Sequence, residues 1–488
     1  MKPQRTTPDF PAWNHRLAPM GARACNVLRG VRQLTLTRLE ERLNPCLPGP
    51  LFQKPATGDH SRERIYSLPR TFWCWVWQML NANAPCREVV RQVQALFTLR
   101  GGPAVDEDSG GYCQARQRLP RRLLEQALTA SAACAAHRAP QSKLLRGRSL
   151  KVVDGSSLRL PDTPSHQQRY PQPSAQKPGC GFPVLRLVVL FCLASGALVA
   201  RSTGALWESE SRLFHRLLST LKPGDIVLGD RNFGNFVILA LLATVGVDFI
   251  GRVAIKSRHV DFRRGRRLGP RDRCLHWRKG EHRVDWLTAA AWAALPKEVS
   301  VRVLQLRVAQ PGFRGQEITL VTTLLDPQLY PAAELLEAYL RRWRLEMCLD
   351  DLKTTLGLEP LKCLSPAMAE KELLVGLIGH NLLRCVMAEA AQHHPVPLER
   401  ISFKGSLDAL RQFSIALLQV RSAPQRSQLW ETLLRALASD LIPERPGRRE
   451  PRAVKRRPKY PLLTRPRHQY TDRPRRSLRK SISQMRKA

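Results

Sequence analysis

The chain predicts a mixed α/β protein, with a sheet core interrupted by a basic β-rich insertion, a helical N-terminal region and a basic flexible tail. Three observations predict it. From about Ala22 to Arg138 apolar residues recur at helical spacing; after residue 149 short β-branched runs alternate with helical ones; and 79 Lys plus Arg outnumber 40 Asp plus Glu.

The resulting net charge of +39 selects a polyanionic partner, nucleic acid ahead of an anionic membrane surface. A basic protein that binds RNA or acidic partners non-specifically shares that charge. A length of 488 residues allows two or three domains. Twelve cysteines are scattered without a C-x-x-C pair or a companion His at zinc spacing, so reduced cytosolic thiols are expected in place of a disulfide framework or structural zinc. The first residues lack the apolar run of a signal peptide. Phe182 to Ala200 carries Arg186 and is broken by Ser195-Gly196, which reads as two strands and a tight turn over a membrane span.

In chain order, residues 1–21 are Pro-rich and read as a mobile arm. Residues 22–140 form a compact helical region whose charge suits DNA, with a loop at 101–111. Trp73, Trp75 and Trp77 alternate within it and read as packing ahead of base stacking. Ser149 to Val153 is a strand leading into Asp154-Gly155, so that an Asp stands where the strand gives way to a turn. Leu185–Leu193 and Ala197–Thr203 form a hairpin, Ser209–Leu221 a helix, Asp225–Leu228 a strand. Asp230 follows at that strand's end, before an apolar helix over Phe233–Val245 and a strand over Asp248–Arg252. Residues 141–251 are therefore the first part of the core.

Residues 252–316 form the basic β-rich insertion, with eleven Lys or Arg between Arg252 and Lys279. Residues 317–443 resume the core with a strand at Glu317–Leu324 and a helix from Pro331, followed by helices near Lys371–His393, Ser406–Leu418 and Gln428–Ala438. From Glu444 onward 17 Lys or Arg face three acids amid many prolines, a tail with too little apolar surface to fold alone.

Open sheets place ligand sites at the carboxyl ends of their strands, which singles out Asp154 and Asp230. Turn or N-cap chemistry is the competing reading of each taken singly, and Asp225, at the opposite end of its strand, reads as structural. Further on, Tyr339, Arg342, Glu346 and Lys353 stand at offsets that point all four side chains the same way on one helix. A solvated face with i,i+4 ion pairs is the competing reading of that stripe alone. Together Asp154, Asp230 and Glu346 form a set that suits two divalent metals beside a phosphate, with no need for His or Cys.

The Tyr339, Arg342, Glu346, Lys353 spacing resembles the tyrosine-arginine-glutamate-lysine signature of bacterial insertion-sequence DDE transposases. Val153-Asp154-Gly155 and Gly229-Asp230-Arg231-Asn232-Phe233 match in kind the family's surroundings for its two Asp residues, and the resemblance spans about Thr71 to Lys459. It implies a ribonuclease-H-like core, Asp154, Asp230 and Glu346 as ligands of two Mg²⁺ ions for which Mn²⁺ can substitute, and Tyr339, Arg342 and Lys353 on phosphates. The implied protein is a cytoplasmic enzyme that binds the terminal inverted repeats of double-stranded DNA, cuts them and joins the 3′ ends to target DNA as a homodimer, with no membrane partner. The acidic pair Asp350-Asp351 departs from the pattern, and Asp350, one turn beyond Glu346, is the substitute ligand to weigh. A catalytically silent DNA-binding descendant and a metal nuclease without strand transfer are the alternative functions.

Overall fold

The computed structural model describes residues 39–443 apart from 62–63, 100, 141–142, 254–259, 309–316, 343 and 421, together with 465, 466 and 469; for 344–346 it describes the backbone alone. The expected arm at 1–21 and nearly all of the expected tail at 444–488 lie outside the described residues.

The N-terminal region is helical, with α1 (Glu40–Leu43), α2 (Leu68–Leu80), α3 (Cys86–Leu99), α4 (Gly110–Arg118) and α5 (Arg121–Arg138). Then come β1 (Leu150–Arg159), α6 (Pro164–Arg169), β2 (Val184–Cys192), β3 (Leu198–Ala205), α7 (Glu210–His215), β4 (Ile226–Gly229), α8 (Phe236–Thr244) and β5 (Asp248–Arg252). The basic segment supplies β6 (Arg266–Gly269), β7 (Asp272–Arg278), α9 (Ala289–Ala294) and β8 (Glu298–Arg307), and β9 (Glu317–Thr322) follows. The chain closes with α10 (Ala332–Arg341), α11 (Arg344–Asp350), a π turn at Asp351–Thr355, α12 (Pro366–His393), α13 (Phe403–Gln419) and α14 (Ala423–Ser439).

Among the described residues, nine strands join one mixed sheet in the order β3-β2-β1-β4-β5-β9-β8-β7-β6. The neighbouring pairs β1–β4 and β4–β5 are parallel and the other neighbouring pairs are antiparallel, with α8 making the crossover from β4 to β5. The strands of the basic segment therefore continue the same sheet, entering it through β9. Side chains alternate across it. Val152, Leu228 and Ile250 face the layer built from α2, α5, α10 and α12, whereas Val153, Val227 and Phe249 face α7 and α8.

Helix α12 is the centre of the helical layer. It is apolar nearly all round, as a helix buried on every side must be, and a membrane-spanning length is thus spent inside the protein. Its buried polar groups are tied to neighbouring elements. Asn381 accepts from the Leu198 amide at 2.8 Å and donates to its carbonyl at 2.9 Å, and Glu372 accepts from the amides of Lys362 and Cys363 at 3.0 and 2.8 Å. The expected hairpin stands as β2 and β3, and Gly196 takes φ 67 in its turn, which a side chain at that position would resist. Trp73 and Trp75 are core residues, with the Arg116 guanidinium 4.1 Å above the Trp75 ring.

Three expectations need correction. Strand β1 does not end at Val153: its antiparallel ladder with β2 runs unbroken from Lys151↔Cys192 to Arg159↔Val184, which supplies the backbone bonds that a turn would have forfeited. Tyr339 to Lys353 is not one continuous helix but is divided among α10, α11 and the π turn. Cys46 and Cys134 are joined as a disulfide, although 88 residues separate them and no motif marks either.

Candidate active site

Register places the two aspartates. Val152 and Leu228 are paired neighbours on the parallel strands β1 and β4. Asp154 and Asp230 each lie two residues further on, so both belong to the face of the sheet that carries Val152 and Leu228. Neighbouring strands are about 4.8 Å apart, so the two aspartates follow paired residues on adjacent strands. The parallel pairing stops just short of them, and both side chains are half-buried. Asp154 is thus interior to a strand yet still at the carboxyl edge of the parallel part of the sheet, where ligand sites form.

Local hydrogen bonds hold each carboxylate. Asp154 Oδ1 accepts from the Gly155 amide at 2.9 Å. Asp230 Oδ1 accepts from the Asn232 amide at 2.9 Å, an Asx turn that carries the chain from β4 toward α8. Asp225 accepts from the Lys222 amide at 2.9 Å, the structural role expected of it.

On the same face lie the segments that carry the expected polar stripe, since Tyr339, Leu349 and Leu352 share the core with Val152 and Leu228. Tyr339 is buried, and burial raises its phenol above the usual range; Arg342 and Arg252 pull it down and Asp230 pushes it up. Those influences put the phenol, both guanidinium groups and the second aspartate in one electrostatic neighbourhood. Arg342 stands over the Tyr339 ring, 5.6 Å from its centroid. Glu346 lies on α11, packed through Leu349 on this face, but its side chain is outside the described residues, as is Trp343 entirely.

The rest of the stripe diverges. Lys353 forms an ion pair with Glu359 at 3.0 Å, and it borders a small apolar gap with Ser156 and Leu158 of β1, further along the strand than Asp154. Asp350 is exposed and accepts from Thr354 Oγ1 at 2.8 Å. Asp351 turns toward α12, 3.8 Å from Arg384, and burial pushes its carboxyl up to about 6.

One carboxylate was missed by sequence reasoning. Glu210, at the start of α7, accepts from the Asn232 side-chain amide at 3.2 Å and lies against Gly155, so it braces both aspartate segments from the opposite face. Its only sequence signal is an acid in the first turn of a helix, which the helix dipole explains equally well. A Cβ at Gly155 would stand 2.2 Å from the Glu210 carboxylate, so glycine there lets the acid approach.

Asp154 and Asp230 offer oxygen donors alone, the kind of ligand that a hard divalent cation prefers. A family model described as the transposase DDE domain matches residues 145–382, the span that contains every one of these residues. The chain is also 26% identical over 434 residues to the transposase InsG for insertion sequence element IS4 of Escherichia coli (strain K12), covering 87% of this chain and 93% of that relative. Residues 145–382 belong to the transposase DDE domain family. A second relative of this transposase, InsZ of the same bacterium, is 28% identical over 188 residues, 38% of the chain and 62% of the relative. A cryo-EM structure of the piggyBac transposase synaptic complex with hairpin DNA aligns over 80% of the chain and 79% of its own at 10% identity and a TM-score of 0.38, too distant to bear on the fold.

If Glu210 positions the aspartates through Asn232, a Glu210→Ala variant should lose about 10–100-fold in cleavage rate, the usual cost of losing a supporting partner, with DNA affinity unchanged. Glu210→Gln keeps an acceptor for Asn232 and should recover most of that loss. Equal loss in both variants, measured on the same DNA, would reject the positioning role.

Proposed function

We propose that this transposase binds the terminal inverted repeats of its element in double-stranded DNA, cleaves at their boundaries and joins the freed 3′ ends to target DNA. The observation that supports the reading is the parallel pairing of β1 with β4, whose last paired residues, Val152 and Leu228, each stand two residues before an aspartate. The order β3-β2-β1-β4-β5, with only β2 antiparallel to its neighbours, supports a ribonuclease-H-like core, extended by residues 252–316 as an insertion.

Asp154, Asp230 and Glu346 would hold two Mg²⁺ ions, or Mn²⁺ in their place. Such ions would supply activation of the attacking oxygen and stabilisation of the leaving one. The residues of the chain do the rest. The Gly155 and Asn232 amides each donate to one carboxylate oxygen, of Asp154 and Asp230 respectively, and so orient the two side chains. Arg342, with Tyr339 beneath it, offers charge and a hydroxyl to a phosphate beside the scissile bond. Lys353 takes the same role on exchanging Glu359 for a phosphate, an exchange that DNA binding has to drive.

Residues 22–140 and the basic segments contribute DNA contacts, and two copies pair the element ends in the cytoplasm. Intact carboxylates at Asp154, Asp230 and Glu346 favour the enzyme over a silent DNA-binding descendant, which has no chemical need of them.

The test is incubation with duplex DNA that carries the flanking repeats, with and without Mg²⁺. Nicks at the repeat boundary only with the metal are the expected result; no product with any divalent ion would transfer the assignment to the silent binder. A joining assay with pre-cut ends separates the transposase from a nuclease that only cleaves.

A further inference from the structure

Outside the carboxylate site, the described residues bring three metal-ligating side chains together at one other place. Cys46 in the turn after α1, Cys134 in α5 and Cys385 in α12 have their sulfurs within 4.8 Å of one another. Cys46 and Cys385 are buried, at 3% and 0% exposure, while Cys134 is half-buried and marks the side open to solvent. The three residues come from separate stretches of sequence, and the seam between α5 and α12 is what unites them.

We propose that, once the Cys46–Cys134 bridge is reduced, Cys46, Cys134 and Cys385 bind one zinc ion as thiolates, with water in the fourth position. A thiol reductant supplies two electrons and two protons to the bridge, and the ion then displaces three protons from three thiols. Thiolate sulfur selects zinc over the hard cations that suit the aspartates. Three thiolates and one divalent ion carry one net negative charge, and Arg138, whose influence draws the Cys385 thiol downward, stands nearby to offset it.

The other use of three adjacent sulfurs is exchange, in which Cys385 attacks the bridge. Exchange joins only two of the three sulfurs at a time, whereas one ion takes all three at once by replacing the proton on each thiol. The bound ion would clamp the turn at Asn44–Cys46 onto the α5–α12 seam, a structural role independent of cleavage chemistry.

The full chain, purified under reducing anaerobic conditions and loaded with cobalt(II) as a spectroscopic substitute, should show thiolate-to-metal charge-transfer absorption from one equivalent, displaced by zinc. Cys385→Ser and Cys134→Ser should weaken binding by at least about tenfold, since even a supporting partner costs 10–100-fold. Cys274→Ser and Asp154→Ala should leave the band intact, which separates this site from the carboxylates. As a readout that needs no variant, zinc should protect the half-buried Cys134 from alkylation in the reduced native chain. Absence of the charge-transfer band, or equal alkylation with and without zinc, would overturn the proposal.

Discussion

Replacing Asp230 with alanine is expected to lower cleavage at the element ends by about 10³-fold or more, the several kcal/mol that a metal ligand contributes to a charged transition state. DNA binding should change little, because one acid among so many basic residues adds no attraction for phosphates. Alanine also removes the acceptor for the Asn232 amide, so a loss of activity could reflect the turn alone. Asp230→Asn answers this, since its amide oxygen still accepts that bond while its charge is gone. Both variants should be equally inactive. Cleavage by Asp230→Asn within about tenfold of the natural chain would remove Asp230 from the ligand set.

The largest stability effect is expected at Glu370, at the start of α12. Burial pushes its carboxyl up, but Arg201, the hydroxyls of Thr203 and Tyr170, and Arg121 together hold it below the usual range. Arg201 Nη1 is 2.8 Å from the carboxylate and only 7% exposed, and the Thr203 and Tyr170 hydroxyls donate at 2.6 and 2.8 Å. Glu370→Gln strands the Arg201 charge and should cost about 3–5 kcal/mol at pH 7, read as a lower urea midpoint. The depressed folded value sets the sign: the stabilisation is full above the ordinary carboxylate range and is lost as pH falls below about 4.5 through the folded value. The natural chain should therefore lose its advantage over the variant in acid. A difference under about 1 kcal/mol at pH 7 would show that the pair behaves as an exposed one.

The alternation of strands and helices was legible where local pattern decides it. The strand at Asp248–Arg252, the hairpin and the three closing helices are where periodicity and turn residues put them. Asp154-Gly155 reads as a turn in isolation, and only pairing with β2, remote in sequence, keeps the chain extended through it. The stripe from Tyr339 to Lys353 has helical spacing throughout, yet spacing carries no record of where the backbone tightens into a π turn. Glu210 was invisible because its meaning depends on Gly155 and Asn232, which reach it through the sheet. The cysteine trio eluded spacing rules for the same reason, being made by helix packing.

Helix α12 has a consequence for how the protein is made. It packs against α2, α5 and α14, and through Asn381 and Glu370 it secures β3. A ribosome delivers it more than two hundred residues after α5, a wait on the order of 10–50 s at ordinary rates of synthesis. During that interval the N-terminal helices and the β2–β3 hairpin have apolar faces and no central partner. An element truncated before Pro366 would therefore yield the aspartates, but no stable sheet to hold them together.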